Sequence, residues 1–200
     1  MLKIVLASRN KGKIKEMKDL LSSYMNVPFE ILSLDDIGFT GEIIENGDSF
    51  EANSIIKALV PASLGYIGVA DDSGLAVDAL NGAPGIYSAR YSGEGATDEK
   101  NNNKLLSELK SVEEKDRTAR FVCSISCEFP DGREGFTTVG ICKGTILREP
   151  HGNGGFGYDP LFYYPEFNKT FGEMTAEEKN SISHRSIAMR AFAEKLAELI

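Results

Sequence analysis

Every second side chain from residue 119 to residue 129 is apolar, and this strict period of two identifies the middle of the chain as β structure. One face would carry Ala119, Phe121, Cys123, Ile125, Cys127 and Phe129, as expected for a strand with one buried face. The turn sequence Pro130-Asp131-Gly132 follows, and residues 135–147 form a second extended run. The pattern predicts an antiparallel hairpin.

Units of strand and helix surround this hairpin. Residues 3–7, 29–32 and 67–70 predict short strands, and residues 12–24 and 49–64 predict helices from the spacing of their apolar residues. Thr97 predicts the N-cap of a further helix, and the last helix would carry a stripe of Ala188, Phe192, Leu196 and Leu199. Together these elements predict an α/β fold with a mixed sheet and helices packed on it, within a single domain spanning residues 1–200.

Composition and charge exclude several classes of protein. A net charge of −8 argues against a bulk binder of nucleic acid, because duplex affinity comes mainly from neutralising phosphates. Three cysteines are too few for a disulfide scaffold or a zinc ribbon, and Cys123 and Cys127 fit buried strand positions. The apolar run at residues 1–7 is too short for a signal peptide or a membrane span. We therefore expect a cytoplasmic protein with neither a membrane nor a nucleic acid as partner.

A basic turn at Ser8-Arg9-Asn10-Lys11-Gly12-Lys13 lies between the first predicted strand and the first predicted helix. Backbone N–H groups and the helix dipole favour an anion at such a helix start, and three cationic side chains reinforce this preference. The glycine spacing of a P-loop is absent. The turn is therefore a candidate phosphate site, and a merely solvated basic turn is the alternative.

A carboxylate pair at Asp71-Asp72, followed by Ser73, comes where the third predicted strand ends. Two adjacent carboxylates repel each other unless a cation compensates them. Mg²⁺ held by one or two carboxylates and substrate phosphates would be suitable, and one carboxylate could act as base for an attacking water. The alternative is an ordinary helix cap or loop.

Two further polar segments lie towards the C-terminus. In the glycine-rich segment of residues 152–160, either Phe156 or Tyr158 offers a face for stacking a base, although core aromatics in a turn are the alternative. Lys179, His184 and Arg185 follow a possible capping box at residues 175–178. These donors suit phosphate or base oxygens, while a lone histidine there could simply be a polar cap. The four segments together indicate a nucleotide and magnesium.

Four motifs in this chain resemble those of the inosine triphosphate pyrophosphatases in their bacterial form. They are Ser8-Arg9-Asn10-Lys11-Gly12-Lys13, the stretch from Asp71-Asp72-Ser73-Gly74-Leu75 into residues 81–91, Gly154-Gly155-Phe156-Gly157-Tyr158-Asp159-Pro160, and Ser183-His184-Arg185. The resemblance covers nearly the whole chain. It implies an elongated fold with a central mixed sheet and two lobes around a nucleotide cleft, and a homodimer. It also implies Mg²⁺-dependent hydrolysis of dITP, ITP and XTP to the monophosphate and pyrophosphate.

The resemblance also assigns roles to individual residues. Asp72 becomes the catalytic base and a metal ligand, and the catalytic set is completed by Asp71, Lys13 and Lys57. The substrate-binding residues it implies are Ser8, Arg9, Asn10, Lys11, Gly12, Lys13, Ser73, Phe156, Gly157, Tyr158, Asp159, Lys179, His184 and Arg185.

The chain departs from the family pattern in the segment from Phe50 to Ala58. The family's usual Phe-x-Glu-Asn has Ala52 at the position of the glutamate that, by the resemblance, helps to hold the metal. Glu51 is the nearest substitute ligand, but adjacent residues on a helix point about 100° apart. It could reach the metal only from an irregular first turn, and otherwise a water would fill the position.

Two other functions remain as alternatives to the pyrophosphatase. One is a nucleotide-binding sensor that has lost turnover because Ala52 replaces the glutamate. The other keeps the fold class but acts on other nucleotides, as in the related septum-formation-inhibitor pyrophosphatases. The segments Phe156-Gly157-Tyr158-Asp159 and Ser183-His184-Arg185 argue against this second alternative.

Overall fold

The computed structural model describes residues 2–9, 11–24 and 28–199. Its helices are α1 (Lys11–Tyr24), α2 (Phe50–Ser63), α3 (Asp98–Glu108), α4 (Ala176–Ile182) and α5 (His184–Leu199). Its strands are β1 (Leu2–Leu6), β2 (Phe29–Ser33), β3 (Ile67–Val77), β4 (Thr118–Glu128), β5 (Phe136–Ile146), β6 (Phe162–Tyr164) and β7 (Lys169–Thr170). A 3-10 helix spans Gly85–Arg90.

The strands form one mixed sheet in the order β2-β1-β3-β4-β5-β6-β7. Strand β1 is parallel to both of its neighbours, with Leu2 opposite Phe29 of β2 and Ile4 opposite Ile67 of β3. At the other end, β6 is antiparallel to β5 and to β7. Strands β4 and β5 are neighbours, and the connection between them is too short for a parallel crossover. The predicted hairpin and the mixed α/β sheet are therefore confirmed.

The chain divides into two compact units, and each has its own core. Unit 1 takes the described residues of 1–72, 123–140 and 185–200. Strand β1 is buried on both faces there, because Ile4 and Leu6 belong to one apolar cluster and Val5 to another. The larger cluster packs α1 and α5 on β1 and β4, and it includes Cys123 and Cys127, which are buried as expected for small strand residues.

Unit 2 takes residues 73–122 and 141–184. Its core packs α3, through Leu105 and Leu109, against residues of β3, β4, β5 and β6. Phe121, Phe162 and Phe171 form an aromatic group within this core, with ring centroids 4.6 Å apart for Phe121 and Phe162 and 4.8 Å apart for Phe162 and Phe171. These rings lie within the range of favourable aromatic contacts.

Most helix starts agree with the sequence. The Ser49 side chain accepts a hydrogen bond from the Ala52 N–H and caps α2, and Thr97 caps α3 in the same way. The capping box of Thr175 and Glu178 is present at the start of α4. The helix predicted at residues 49–64, the N-cap predicted at Thr97 and the capping box predicted at residues 175–178 are confirmed.

Two local predictions were wrong. Strand β3 does not end at residue 70 but continues to Val77, so the carboxylate pair lies inside a strand. The reason is that Leu75, Ala76 and Val77 extend the buried apolar run beyond the charges. Leu199 is exposed, because the last turn of α5 extends beyond Leu196, the last buried residue of its stripe. Within the described ranges, no helix has the length and apolar content needed to cross a membrane.

Candidate active site

Asp71 lies on β3 in unit 1, where two cations bind its carboxylate. Lys13 in the first turn of α1 brings its Nζ to 3.1 Å from Asp71 Oδ2, and Arg185 brings its Nε to 3.6 Å from the same oxygen. Arg185 also donates a hydrogen bond to Glu16 Oε2 at 2.7 Å. Asp71 and Arg185 are both buried, so these ion pairs are shielded from water.

Opposing effects set the pKa of Asp71. Burial raises this pKa, but the positive charges of Lys13, Arg185 and Lys57 outweigh burial and hold the pKa well below its usual value. The pKa of Arg185 is raised, because Glu16 and Asp71 outweigh the effect of its burial. Asp71 is thus a permanently ionised anchor for the cations around it.

Asp72, the next residue of β3, belongs to a second ion-pair group. Lys57 of α2 donates to Asp72 Oδ1 at 2.9 Å and to Glu45 Oε2 at 3.1 Å. Asn53, also on α2, accepts a hydrogen bond from the Gly47 N–H at 2.8 Å and so fixes the loop that carries Glu45. The second carboxylate oxygen of Asp72 is buried and accepts no hydrogen bond from any described residue.

The pKa of Asp72 shifts in the opposite direction from that of its neighbour. Burial raises it and the negative charge of Glu45 adds to the increase, while Lys57 lowers it by a smaller amount. Lys57 itself has a raised pKa, because Asp72, Asp71 and Glu45 outweigh the effect of its burial. A carboxylate with a raised pKa is a better proton acceptor than an ordinary aspartate, which suits a general base.

The basic turn precedes α1, as the sequence predicts. Arg9 is directed to the loop after β2, where it donates to Phe39 O at 3.0 Å and to Gly41 O at 2.7 Å. Asn10 lies outside the described residues. Ser8 lies between β1 and α1 and donates its N–H to Leu6 O at 2.9 Å. Lys11, Gly12 and Lys13 form the first turn of α1, the end of a helix that favours an anion.

Glu45, and not Glu51, is the second carboxylate that lies beside Lys57 and Asp72. The first turn of α2 is regular and capped by Ser49, and Glu51 is exposed on it, whereas Asn53 and Lys57 share the buried face. Glu45 instead joins the Lys57 and Asp72 pair from the loop before the helix. Sequence reasoning missed Glu45, because its loop has no periodic pattern and only the family position at Ala52 drew attention to this segment.

Unit 2 contains a second polar cluster, in the loop before β6. Asp159 is buried and accepts hydrogen bonds from Lys179 Nζ at 2.8 Å and from the Phe156 N–H at 2.9 Å. Lys179 also lies over the Phe156 ring, 5.1 Å from its centroid. The carboxylate thereby fixes both the ammonium group and the loop backbone that presents the aromatic ring.

Of the two aromatic residues proposed to stack on a base, Phe156 is the more accessible. Its side chain is exposed at 37%, whereas Tyr158 is buried and donates its hydroxyl hydrogen to Ser88 O at 2.8 Å. His184 is also buried, and its ring stacks on Phe121 with centroids 4.8 Å apart. Phe156 is therefore the residue that offers a face to a planar ligand.

Ser73 is half-buried on β3 of the same unit.

The similarity of this chain to known proteins identifies its family. A sequence profile of the Ham1 family matches residues 4–195. This chain belongs to the Ham1 family. A relative from Desulforamulus reducens, named dITP/XTP pyrophosphatase, is 51% identical over 99% of this chain and 97% of its own length. Another of that name, from Geobacter sulfurreducens, is 49% identical over 98% of this chain and 97% of its own length.

A solved Ham1 protein has the same fold. The structure from Coxiella burnetii superposes with a TM-score of 0.90 at 40% identity, and it covers 99% of this chain and 100% of its own. The resemblance inferred from the four motifs is therefore confirmed. The Ham1 relatives described above carry the name of a specific enzyme, dITP/XTP pyrophosphatase, and not merely that of a nucleotide-binding protein.

Proposed function

We propose that this protein hydrolyses dITP, ITP and XTP to the nucleoside monophosphate and pyrophosphate, and so removes non-standard purines from the nucleotide pool. The observation that carries the proposal is the identity of 44–51% to relatives named dITP/XTP pyrophosphatase over almost the whole chain. The ion-pair groups around Asp71 and Asp72 agree with this chemistry, because they place cations and a candidate base together.

Unit 1 supplies the groups that the triphosphate needs. Lys13 and the N-terminus of α1, with the basic turn before it, neutralise phosphate charge. Asp72 accepts a proton from the attacking water, and Lys57 holds its carboxylate in place through Oδ1. Asp71 acts through Lys13 and Arg185, whose positions and charges it stabilises.

Asp72 and Glu45 are the residues that would hold Mg²⁺. Both offer hard carboxylate oxygens, and the buried Asp72 oxygen without a hydrogen bond from the described residues fits a cation as its partner. When bound, Mg²⁺ would polarise the phosphoryl group and neutralise developing charge. No group of three or more His, Cys, Asp or Glu side chains arranged for a metal occurs among the described residues. A site with one or two protein carboxylates, completed by phosphate oxygens and water, agrees with this finding.

Phe156, Lys179 and His184 are the candidates for recognising the base. Phe156 provides a stacking face, while Lys179 and His184 are donors suited to the 6-oxygen of hypoxanthine or xanthine. Adenine carries an amine there, so a donor would face a donor, and such a mismatch can reduce use of a substrate by about 10⁴-fold. We therefore expect ATP to be a poor substrate.

The test is a substrate panel with pyrophosphate detection in the presence of Mg²⁺. We expect release from dITP, ITP and XTP with much lower kcat/KM for ATP and GTP, and nearly complete loss in Asp72→Asn. Guanine shares the 6-oxygen, so the exclusion of GTP has to come from its 2-amino group. Comparable efficiency on ATP would contradict the assigned base selectivity. Binding of dITP without pyrophosphate release would instead identify the nucleotide sensor considered as an alternative because of Ala52.

We also propose that the protein acts as a homodimer in the cytoplasm, as the family resemblance implies. Light scattering coupled to size-exclusion chromatography tests the assembly. A particle mass near twice the chain mass of 21.8 kDa supports the dimer, and a mass near that of one chain contradicts it.

A further inference from the structure

Two side chains of α3 bind the backbone of Gly157, a residue of the Phe156–Asp159 loop. The Gly157 N–H donates to Asp98 Oδ2 at 2.7 Å, and its carbonyl oxygen accepts from Asn102 Nδ2 at 3.0 Å. Asp98 and Asn102 are one helical turn apart, so they present an acceptor and a donor on the same side of α3. Gly157 has a φ of 62°, a conformation that glycine adopts without strain.

The next residue of the loop is held from another direction. The hydroxyl of Tyr158 donates to Ser88 O at 2.8 Å, and Asn101 Nδ2 donates to the same carbonyl oxygen at 3.3 Å. The Ser88 hydroxyl in turn accepts a hydrogen bond from the Leu75 N–H of β3 at 2.9 Å. Ser88 therefore connects the loop to β3. This is a structural role for one residue of the 81–91 stretch.

We propose that Asp98, Asn102 and Tyr158 are positioning residues for base selection. None of them needs to touch the base. They fix residues 157 and 158, which lie between Phe156 and Asp159 in the chain. The position of the Phe156 ring, and that of Lys179 through its bond to Asp159, therefore depend on them. This inference rests on the proposed function, in which Phe156 and Lys179 recognise the base. A small displacement of this loop would alter base recognition while leaving the ion-pair groups of unit 1 in place.

Matched isosteric substitutions test the proposal. Asn102→Asp keeps the size of the side chain but replaces the donor to Gly157 O with a carboxylate oxygen, which repels that carbonyl. Asn103→Asp makes the same change at the adjacent, exposed position and serves as the control. Asp98→Asn keeps an acceptor for the Gly157 N–H, whereas Asp98→Ala removes it. Tyr158→Phe removes only the hydroxyl.

The informative readout is the ratio of kcat/KM for dITP to kcat/KM for ATP. We expect this ratio to fall about tenfold in Asn102→Asp, Asp98→Ala and Tyr158→Phe, since each removes a hydrogen bond that holds residues 157–158. The ratio should stay close to the wild-type value in Asn103→Asp and Asp98→Asn. A purely structural role would lower the amount of active enzyme for both substrates equally and leave the ratio unchanged.

A second readout does not depend on activity. The chain contains no tryptophan, so Phe156→Trp introduces a single tryptophan, whose emission under selective excitation reports on this loop. Added to that background, Asn102→Asp should increase acrylamide quenching and lower the anisotropy, whereas Asn103→Asp should change neither. Circular dichroism confirms that each variant is folded before comparison.

The outcomes separate this inference from the proposed function. If the wild type releases no pyrophosphate from dITP, the proposed function fails, and the fluorescence comparison still tests how the loop is held. If the wild type is active but Asn102→Asp keeps both the substrate ratio and the fluorescence of its background, the positioning role is overturned. Equal losses in Asn102→Asp and Asn103→Asp also overturn it.

Discussion

Asp71 and Asp72 are adjacent on β3, yet replacing each by asparagine should have opposite consequences. The carboxylate of Asp71 is almost fully buried, with 1% of its side chain exposed, and it pairs with Lys13 and Arg185. Removing one partner from a buried ion pair costs about 3–5 kcal/mol. Arg185 keeps its hydrogen bond to Glu16, so we expect the lower end of that range, about 3 kcal/mol, for Asp71→Asn.

Asp72→Asn should leave stability within about 1 kcal/mol of the wild type, because the fold already disfavours the charged form of this side chain. Lys57 also keeps Glu45 as a partner. For a chain of this length, the loss in Asp71→Asn corresponds to a Tm about 6–12 °C lower, with little change in Asp72→Asn. Turnover should follow the opposite order, with Asp72→Asn nearly inactive.

Thermal and urea denaturation, followed by circular dichroism, measure the two stabilities at neutral pH. Because the folded pKa of Asp71 lies below the ordinary value of 3.8, its stabilising effect is complete above 3.8 and is lost as the pH falls through the lowered value. The difference between wild type and Asp71→Asn should therefore be constant near neutral pH and shrink only in acid. A Tm for Asp71→Asn equal to that of the wild type, or an equal loss in Asp72→Asn, would refute this reasoning.

Three more predictions concern the metal, the base and the thiols. Glu45→Gln should raise the Mg²⁺ concentration needed for half-maximal pyrophosphate release about tenfold, whereas Glu51→Gln should not, and the reverse order would restore Glu51 as the ligand. The kcat/KM for dITP should fall in acid with a midpoint above 3.8, since the pKa of Asp72 is raised and only its ionised form accepts a proton; a midpoint at or below 3.8 contradicts this. The native protein should resist thiol reagents, because its cysteines are buried and burial raises the pKa of Cys127 to about 12; rapid labelling before unfolding would show otherwise.

The elements that could be predicted from sequence are those set by neighbours along the chain. The alternation at residues 119–129, the N-cap at Thr97 and the capping box at residues 175–178 act over a few residues, and each appears in the structure as expected. The length of β3 was not predicted, because a charged pair normally ends a strand. Here the pair is compensated by Lys13 and other cations that are distant in sequence, which a local pattern does not show.

The same distinction applies to the site. Motif resemblance identified Asp72 and Lys57, and the structure pairs them at 2.9 Å. Glu45 has no comparable signal, since it reaches Lys57 only because Asn53 fixes its loop. The sequence suggested Tyr158 as a stacking residue from its type alone, but only the structure shows its hydroxyl bound to a backbone carbonyl.

Charge balance explains why a metal is central to the proposed reaction. The ion pairs described for unit 1 bring three cations, Lys13, Lys57 and Arg185, together with four carboxylates, Glu16, Glu45, Asp71 and Asp72. When all of these side chains are ionised, the three positive and four negative charges give the group one net negative charge, so on its own it does not attract a triphosphate. A divalent cation between Glu45 and Asp72 would reverse the sign of the cluster. In the proposed reaction, the carboxylates would therefore make binding of the triphosphate depend on the metal.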